Sequence, residues 1–314
     1  MPKNYDKKVI LLKQETTEGT DAAPVVTTDA LRVLNYQPTF MDADQKVRNI
    51  ETAFFGADPV LLASLKRGAS FDLEMHGGGA AGTAPQWMKA LAFAGFGTPT
   101  IVASTSATLN PTSTVPSATH WAYIDNLLLQ TIGARASVGF TIEDDEIPVF
   151  NYTLLGRAPT SLASEATPSA PTITGVTDPV LSSSENTTFT LDGFAAPLRR
   201  FTMNANVDLQ YRSLIGPVDK IAYRNRNWNG QIVIEVPDLT AKDYFTKVRP
   251  GTTMVCTTVQ GNVAGNIVTI NIPKLQITGN IEMSEEQGVL MMTLPVTALP
   301  NSANGNDEIQ FVAT

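Results

Sequence analysis

The segment with the most evident chemical potential is His76-Gly77-Gly78-Gly79. Backbone N–H groups of such a run could cradle an oxyanion, the chemistry of an esterase. That chemistry also needs a serine on a G-x-S-x-G elbow and a histidine as its base. No G-x-S-x-G occurs, and the other histidine, His120, follows Ser117 and Thr119 in a polar segment. The glycines read better as a sharp turn between a strand and a helix. With two histidines and one cysteine, a transition-metal site would have to rely on carboxylates. These occur in consecutive runs, Asp144-Asp145-Glu146 and Glu285-Glu286, whereas a calcium loop needs alternate spacing around a central glycine. Such runs suit the tips of hairpins. Arg199-Arg200, and Arg224 and Arg226 with Trp228, make small basic spots. Arginine and aromatic side chains can stack nucleotide bases, but at this density they read as salt-bridged surface or interface anchors. The expectation is a protein with no catalytic residues, no metal and no cofactor.

The elements that carry these residues are short. Gly 22, Pro 20 and abundant Ser, Thr and Ala point to strands and turns rather than long helices. A length of 314 residues suits two domains or one large one, and 43% hydrophobic residues can fill a core. The formal net charge of -8 argues against affinity for phosphate backbones. Cys256 is the single cysteine, so no internal disulfide can form. The N-terminus lacks the apolar core and cleavage site of a signal peptide. No stretch is long and apolar enough to span a bilayer. A soluble product of a reducing compartment is expected.

The order of elements repeats. Residues 70–97 read as a strand, a loop and a short helix closed by glycine, and residues 230–251 read the same way. Residues 136–156 and 275–295 both look like hairpins with an acidic turn. In the first strand Phe71, Leu73 and Met75 oppose Asp72, Glu74 and His76. Trp87, Met88, Leu91 and Ala94 or Gly95 form the helix stripe, with Thr83 or Ala84 as cap and Pro85 in the first turn. In the second half Met203, Ala205, Val207 and Leu209 oppose Asn204, Asn206 and Asp208, and Ile232 and Ile234 oppose Val233 and Glu235. Thr240 would cap a helix with Tyr244, Phe245 and Val248 as its stripe. Leu34, Tyr36, Pro38 and Phe40 suggest a half-buried strand. The resulting division is an arm (1–30), a first unit (31–157), a Pro/Ser/Thr-rich linker (158–190) and a second unit with a C-terminal tail (191–314). Two long connections, 42–69 and 210–229, interrupt the units. Phe54, Phe55, Leu61, Leu62, Leu214 and Ile215 in them would be poorly covered within one chain, which suggests contacts with another subunit.

Several segments together resemble a known family. ETTEGTDAAP at 15–24, RNIETAFFGADPVL at 48–61, GTAPQWMKALAFAGF at 82–96 and the ending Asn304-Gly305-Asn306-Asp307-Glu308-Ile309 are similar to the major tail tube protein of long, non-contractile-tailed bacteriophages. The resemblance implies a mainly β fold: two tandem β-sandwich or rolled-barrel units, each with one short flanking helix. It implies a structural virion protein, not an enzyme, made and assembled in the host cytoplasm. Its partners would be copies of itself, in a trimeric ring of pseudo-sixfold symmetry stacked into a tube. Tape measure, terminator and tip proteins and, transiently, DNA in the lumen complete the expected set, with no membrane insertion. The alternating strands then nominate Asp72, Glu74, Thr141, Glu143, Asn204, Asn206, Asp208, Glu235, Asn280 and Glu282 for a polar, acidic lumen wall. Phe54, Phe55, Leu61, Leu62, Leu214 and Ile215 become candidates for contacts between rings. The alternative from another class is a β-sandwich adhesion or carbohydrate-binding module, which would need a cluster of exposed aromatic rings on one unit.

Overall fold

The computed structural model describes residues 3–51, 53, 55–159, 165–216 and 218–314. Its elements in chain order are β1 (Lys8–Gln14), β2 (Ala30–Leu31), β3 (Leu34–Val47), β4 (Val60–Glu74), α1 (Gln86–Leu91), β5 (Thr100–Val102), β6 (Ser106–Leu109), β7 (Ala118–Ile124), β8 (Leu127–Glu143) and β9 (Val149–Arg157). There follow β10 (Thr187–Leu191), β11 (Phe194–Ala195), β12 (Leu198–Asn204), β13 (Leu209–Ser213), β14 (Asp219–Tyr223), β15 (Asn229–Glu235), α2 (Phe245–Val248), β16 (Thr253–Gln260), β17 (Val268–Ile277), β18 (Glu282–Glu286), β19 (Val289–Ala298) and β20 (Gln310–Ala313). The protein is mainly β.

One antiparallel sheet runs through the chain in the order β3–β4–β9–β8–β12–β15–β19–β18. At its middle β8 pairs with β12, Thr141 opposite Thr202 and Phe140 opposite Met203. Sheet edges are sticky because their N–H and C=O groups lack partners, and here two halves of one chain satisfy each other. A second antiparallel run, β10–β16–β17–β20–β6–β5, crosses both halves. The strand β17 belongs to both runs, since its residues 275–277 also pair with β19.

Period-two alternation gives each run one apolar face. Phe71 and Leu73 on β4, Ile232 and Ile234 on β15, and Val268, Ile270 and Ile272 on β17 are all buried. They belong to a single hydrophobic cluster that spans both halves. Its aromatic centre includes Trp87 against Phe150 (ring centroids 4.7 Å apart), Phe150 against Phe311 (5.3 Å) and Phe140 against Phe201 (5.0 Å). The Trp87 indole N–H donates to the His76 carbonyl at 2.8 Å, so α1 is tied to the end of β4. Trp87, Met88, Leu91 and Ala94 all face this core. A short 3₁₀ turn, Ala92–Ala94, extends α1 to Gly95, whose φ of 96° ends it in a left-handed conformation.

Several sequence expectations are corrected. The stretch 42–69 is no loose connection: β3 and β4 continue outward as a hairpin as far as Val47 and Val60. Register shifts between Leu34 and Gln37, Thr39 and Asp42, and Asp42 and Asp44 mark bulges that break the alternation a sequence reading relies on. Because that hairpin projects, Leu34 and Phe40 are exposed rather than half-buried. Likewise 210–229 holds a second hairpin, β13–β14, in a sheet of its own. The stretch 1–30 contains β1, which pairs along β7 and buries Ile10, Leu11 and Leu12. Four donors reach the buried Glu15 carboxylate: the Gly19 and Gly133 N–H groups (2.6 and 2.7 Å), Ser117 Oγ (2.7 Å) and Thr119 Oγ1 (3.0 Å). Pro85 is the cap of α1 rather than a residue of its first turn. The second helix is a single turn; the Asp243 carboxylate, not Thr240, accepts from the N–H groups of Phe245 (2.8 Å) and Thr246 (3.2 Å). Tyr244 is buried, but Phe245 is exposed.

The Pro/Ser/Thr-rich stretch runs without regular structure from 165 to 186, then enters β10. It is strapped to the body by hydrogen bonds: Thr172 N–H to Val26 C=O (2.9 Å), Gln86 N–H to Gly175 C=O (2.9 Å) and Ser182 N–H to Glu146 C=O (2.9 Å).

Candidate self-assembly surfaces

The face of the long sheet opposite the core is polar. A hydrogen-bonded row crosses four of its strands: Asn35 Nδ2 donates to Asp72 (2.9 Å), Asn151 Nδ2 to the other oxygen of Asp72 (2.9 Å), and Thr141 Oγ1 to Asn151 Oδ1 (3.0 Å). Thr141 in turn stands opposite Thr202 across the central joint. Asn204 faces Asn229 on β15, and Asn206 Nδ2 donates to Asn229 Oδ1 at 2.6 Å. Glu235 ends β15, and Glu282 lies opposite Thr293 on the edge strand β18. The sheet thus brings Asp72, Glu74, Thr141, Glu143, Asn204, Asn206, Glu235 and Glu282 to one surface. Asp208 sits just beyond it in the turn between β12 and β13, and Asn280 sits in the break between β17 and β18 beside Phe245 and Val248.

The acids on this face are partly neutralised. Glu74 pairs with Arg32, Glu143 with Arg200 (3.2 Å) and Arg199 (3.6 Å), and Asp208 with Arg224 (3.5 Å). Alternation alone could not reveal these pairs, because Arg199 and Arg200 come from another strand, β12, and Arg32 and Arg224 from loops.

The two ends of the sheet differ. The acidic turn 144–148 between β8 and β9, and the Gln287-Gly288 turn that follows Glu285-Glu286 at the end of β18, lie at one end. At the other end project the β3–β4 and β13–β14 hairpins, which carry exposed apolar side chains. Leu61 and Leu62 are 60% and 57% exposed, although neighbouring strand residues point to opposite faces. Phe55, Leu214 and Ile215 are exposed too; Phe54 lies outside the described residues. Both faces of the first hairpin therefore present apolar surface that its own chain does not cover.

A family model described as phage tail tube protein matches residues 6–298. The chain belongs to the phage tail tube protein family. No curated protein matches it. Membership makes the chain a structural component of the virion tail.

Against that family background, the residues with chemical potential have structural employment. The Gly77 N–H donates to Asn266 Oδ1 at 2.8 Å and the Gly79 N–H to the Gly265 carbonyl at 2.9 Å. A Cβ on Gly77 would come 2.1 Å from the Gly265 carbonyl oxygen, so glycine is needed for two loops to touch. Gly77, Gly79 and Gly82 also meet the G-x-G-x-x-G spacing of a dinucleotide turn. The preceding β4 sits between antiparallel neighbours, however, without the parallel crossover which that turn serves. His76 is buried and its Nδ1 lies 2.8 Å from the Gly77 carbonyl. Contrary to the sequence expectation of a polar segment, His120 is buried on β7, with Nε2 3.4 Å from the Tyr36 hydroxyl. Burial pulls its pKa down to about 4. Arg226 is an internal anchor. Its Nε lies 2.5 Å from Glu308, and its Nη1 donates to the carbonyls of Gly95 (2.9 Å) and Thr112 (3.0 Å). Trp228 beside it is buried. Among the described residues, the exposed aromatic rings Tyr5, Phe40, Phe55 and Phe245 lie on separate segments rather than in the single cluster that a carbohydrate-binding module would need.

Proposed function

We propose that this chain is a duplicated tail tube unit whose copies close into a trimeric ring of pseudo-sixfold symmetry, and that such rings stack into the hollow tube through which the genome leaves. The observation that carries the reading is the β8–β12 joint, where one four-stranded half continues into the next through backbone pairing. Repeating that joint between chains removes the two remaining free edges of the long sheet, β3 and β18, as ring closure requires. A heterologous contact of this kind closes when its rotation divides a full turn.

The polar face then lines the lumen. Its Asn, Thr and Gln side chains are uncharged and its arginines are paired with carboxylates such as Glu74 and Glu143, so passing phosphates meet no array of unpaired cations and are not held. The role is passive and calls for no catalysis. The apolar hairpins at one end meet the next ring, and tape measure, terminator and tip proteins occupy the lumen and the two ends of the stack. Assembly takes place in the host cytoplasm before the tail joins the virion.

Electron microscopy of concentrated purified protein tests the reading, together with native mass spectrometry of rings. Hollow tubes built from three-chain rings are expected. Dispersed monomers at every concentration and salt would overturn it.

A further inference from the structure

The central joint carries more information than its existence. Resting on the duplicated-unit reading above, the two halves can be equated residue by residue through their ladders. In both, the last ladder bond of the second strand is the same: Met75 N–H to Pro148 C=O, and Val236 N–H to Leu290 C=O, each beside its acidic turn. With Met75 equivalent to Val236, Phe71 matches Ile232 and Leu73 matches Ile234, and all four are buried. Their partners follow: Phe150, opposite Leu73, matches Met292, opposite Ile234. Phe140 lies opposite Phe150, and Met283 opposite Met292, so Phe140 matches Met283 and Thr141 matches Ser284. On the other edge Gln37 lies opposite Ser70, and Thr202 opposite Gln231, so Gln37 matches Thr202, Tyr36 matches Phe201 and Pro38 matches Met203.

We infer that β18 of one chain pairs antiparallel with β3 of a second copy in the register that β8 and β12 already use, placing Ser284 opposite Gln37 and Met283 opposite Pro38. Burial supports the assignment. Phe140 is 1% exposed because β12 lies beside it, with Phe201 at 5.0 Å. Its match, Met283, is 47% exposed, with the same face of the strand uncovered. Phe40 and Met41 on β3 are exposed along the complementary edge.

The register also gives Pro38 a purpose. At the internal joint the Ala205 N–H donates to Val138 C=O at 2.9 Å, so by alternation the Met203 N–H faces β8 as well. Pro38 at the matching position has no N–H to offer. The joint between chains therefore has one ladder bond fewer than the joint within the chain, and the free edge of β3 is blunted against indiscriminate pairing. The ion pairs of Arg199 and Arg200 with Glu143 have no counterpart either, because Leu34 and Asn35 stand near those places on β3.

Cysteine cross-linking tests the register. Thr202 and Thr141 form a non-hydrogen-bonded pair by the same alternation, the kind whose side chains approach most closely. A chain carrying Gln37→Cys and Ser284→Cys should form interchain disulfides on oxidation after assembly, and the ladder on a non-reducing gel should end at a covalent trimer. The two sites lie on opposite edges of the sheet, seven strand spacings or roughly 30 Å apart, so one chain cannot bridge them itself. Cys256 is buried and stays out of the reaction. The shifted pairs Gln37→Cys with Glu282→Cys, and Gln37→Cys with Glu286→Cys, should cross-link at least tenfold less. In the unmodified protein, hydrogen exchange at the Tyr36, Met283 and Glu285 amides should slow at least tenfold on assembly. If tubes form but a shifted pair cross-links best, or those amides stay unprotected, the register is wrong while the tube reading stands. If no ring or tube forms at all, both fall.

Discussion

Replacing Leu61 and Leu62 together by threonine separates a contact between subunits from a contact within one. Threonine keeps β propensity, so the β3–β4 hairpin should persist. Full burial of a leucine is worth roughly 1.5–3 kcal/mol. These two side chains are 60% and 57% exposed in the single chain. The part left for a partner to cover is then about 1–2 kcal/mol each, or about 2–3.5 kcal/mol for the pair. At 1.4 kcal/mol per tenfold, that is a rise of about 30- to 300-fold in the concentration needed for tube growth. Light scattering against protein concentration, with electron microscopy of the endpoint, reads this directly. Urea denaturation of the unassembled chain should change by less than about 1 kcal/mol, because the lost surface was mostly in water already. An unchanged critical concentration would refute the role of the hairpin. A large loss of monomer stability would show instead that both leucines pack within their own chain.

Other perturbations probe the remaining parts. Glu15→Gln exchanges one acceptor oxygen for an amide and strands at least one of the Gly19, Gly133, Ser117 and Thr119 donors; a stability loss of about 1–3 kcal/mol and faster proteolysis within residues 3–30 should follow. His120 is held neutral by burial with a pKa of about 4, against about 6.5 when unfolded. Between those values the unfolded chain binds the proton and the folded chain does not, so this stability is complete above pH 6.5 and is lost as pH falls toward 4. The loss amounts to about 3 kcal/mol, and denaturation midpoints of His120→Phe should show a correspondingly flatter acid limb. Asn204→Lys with Glu235→Lys places cations on the polar face without breaking a core contact; tubes should form normally while DNA ejection slows, and unchanged ejection would count against a lumen role for that face. Gly77→Ala should lower stability by more than about 1 kcal/mol, since its Cβ would meet the Gly265 carbonyl at 2.1 Å; an unaltered melting temperature would show that the loops can part freely.

Local pattern was enough for the β class, the strands around Phe71–Leu73 and Ile232–Ile234, the α1 stripe of Trp87, Met88, Leu91 and Ala94, and the acidic turn after Glu143. Each rests on a period or a turn contained within a few residues. Composition and the segments at 15–24, 48–61 and 82–96 also carried the family, because turn and packing residues recur wherever the same local geometry is needed. The outer hairpins escaped the reading because bulges at 34–37 and 39–44 shift the phase of the alternation, and no local rule says where a bulge falls. The place of β1 escaped it because Glu15 reads as one more polar residue until Ser117, Thr119 and Gly133 come from more than a hundred residues away to bind it. Separation along the chain also hid the partners of the lumen candidates: Asp72 owes its setting to Asn35 and Asn151, and Glu143 to Arg199 and Arg200. Which edges pair is likewise a tertiary decision. Every strand offers the same backbone groups, and only the closing of β12 onto β8 across a shared core of Phe140, Phe201 and Trp228 determines which two edges remain for a second copy.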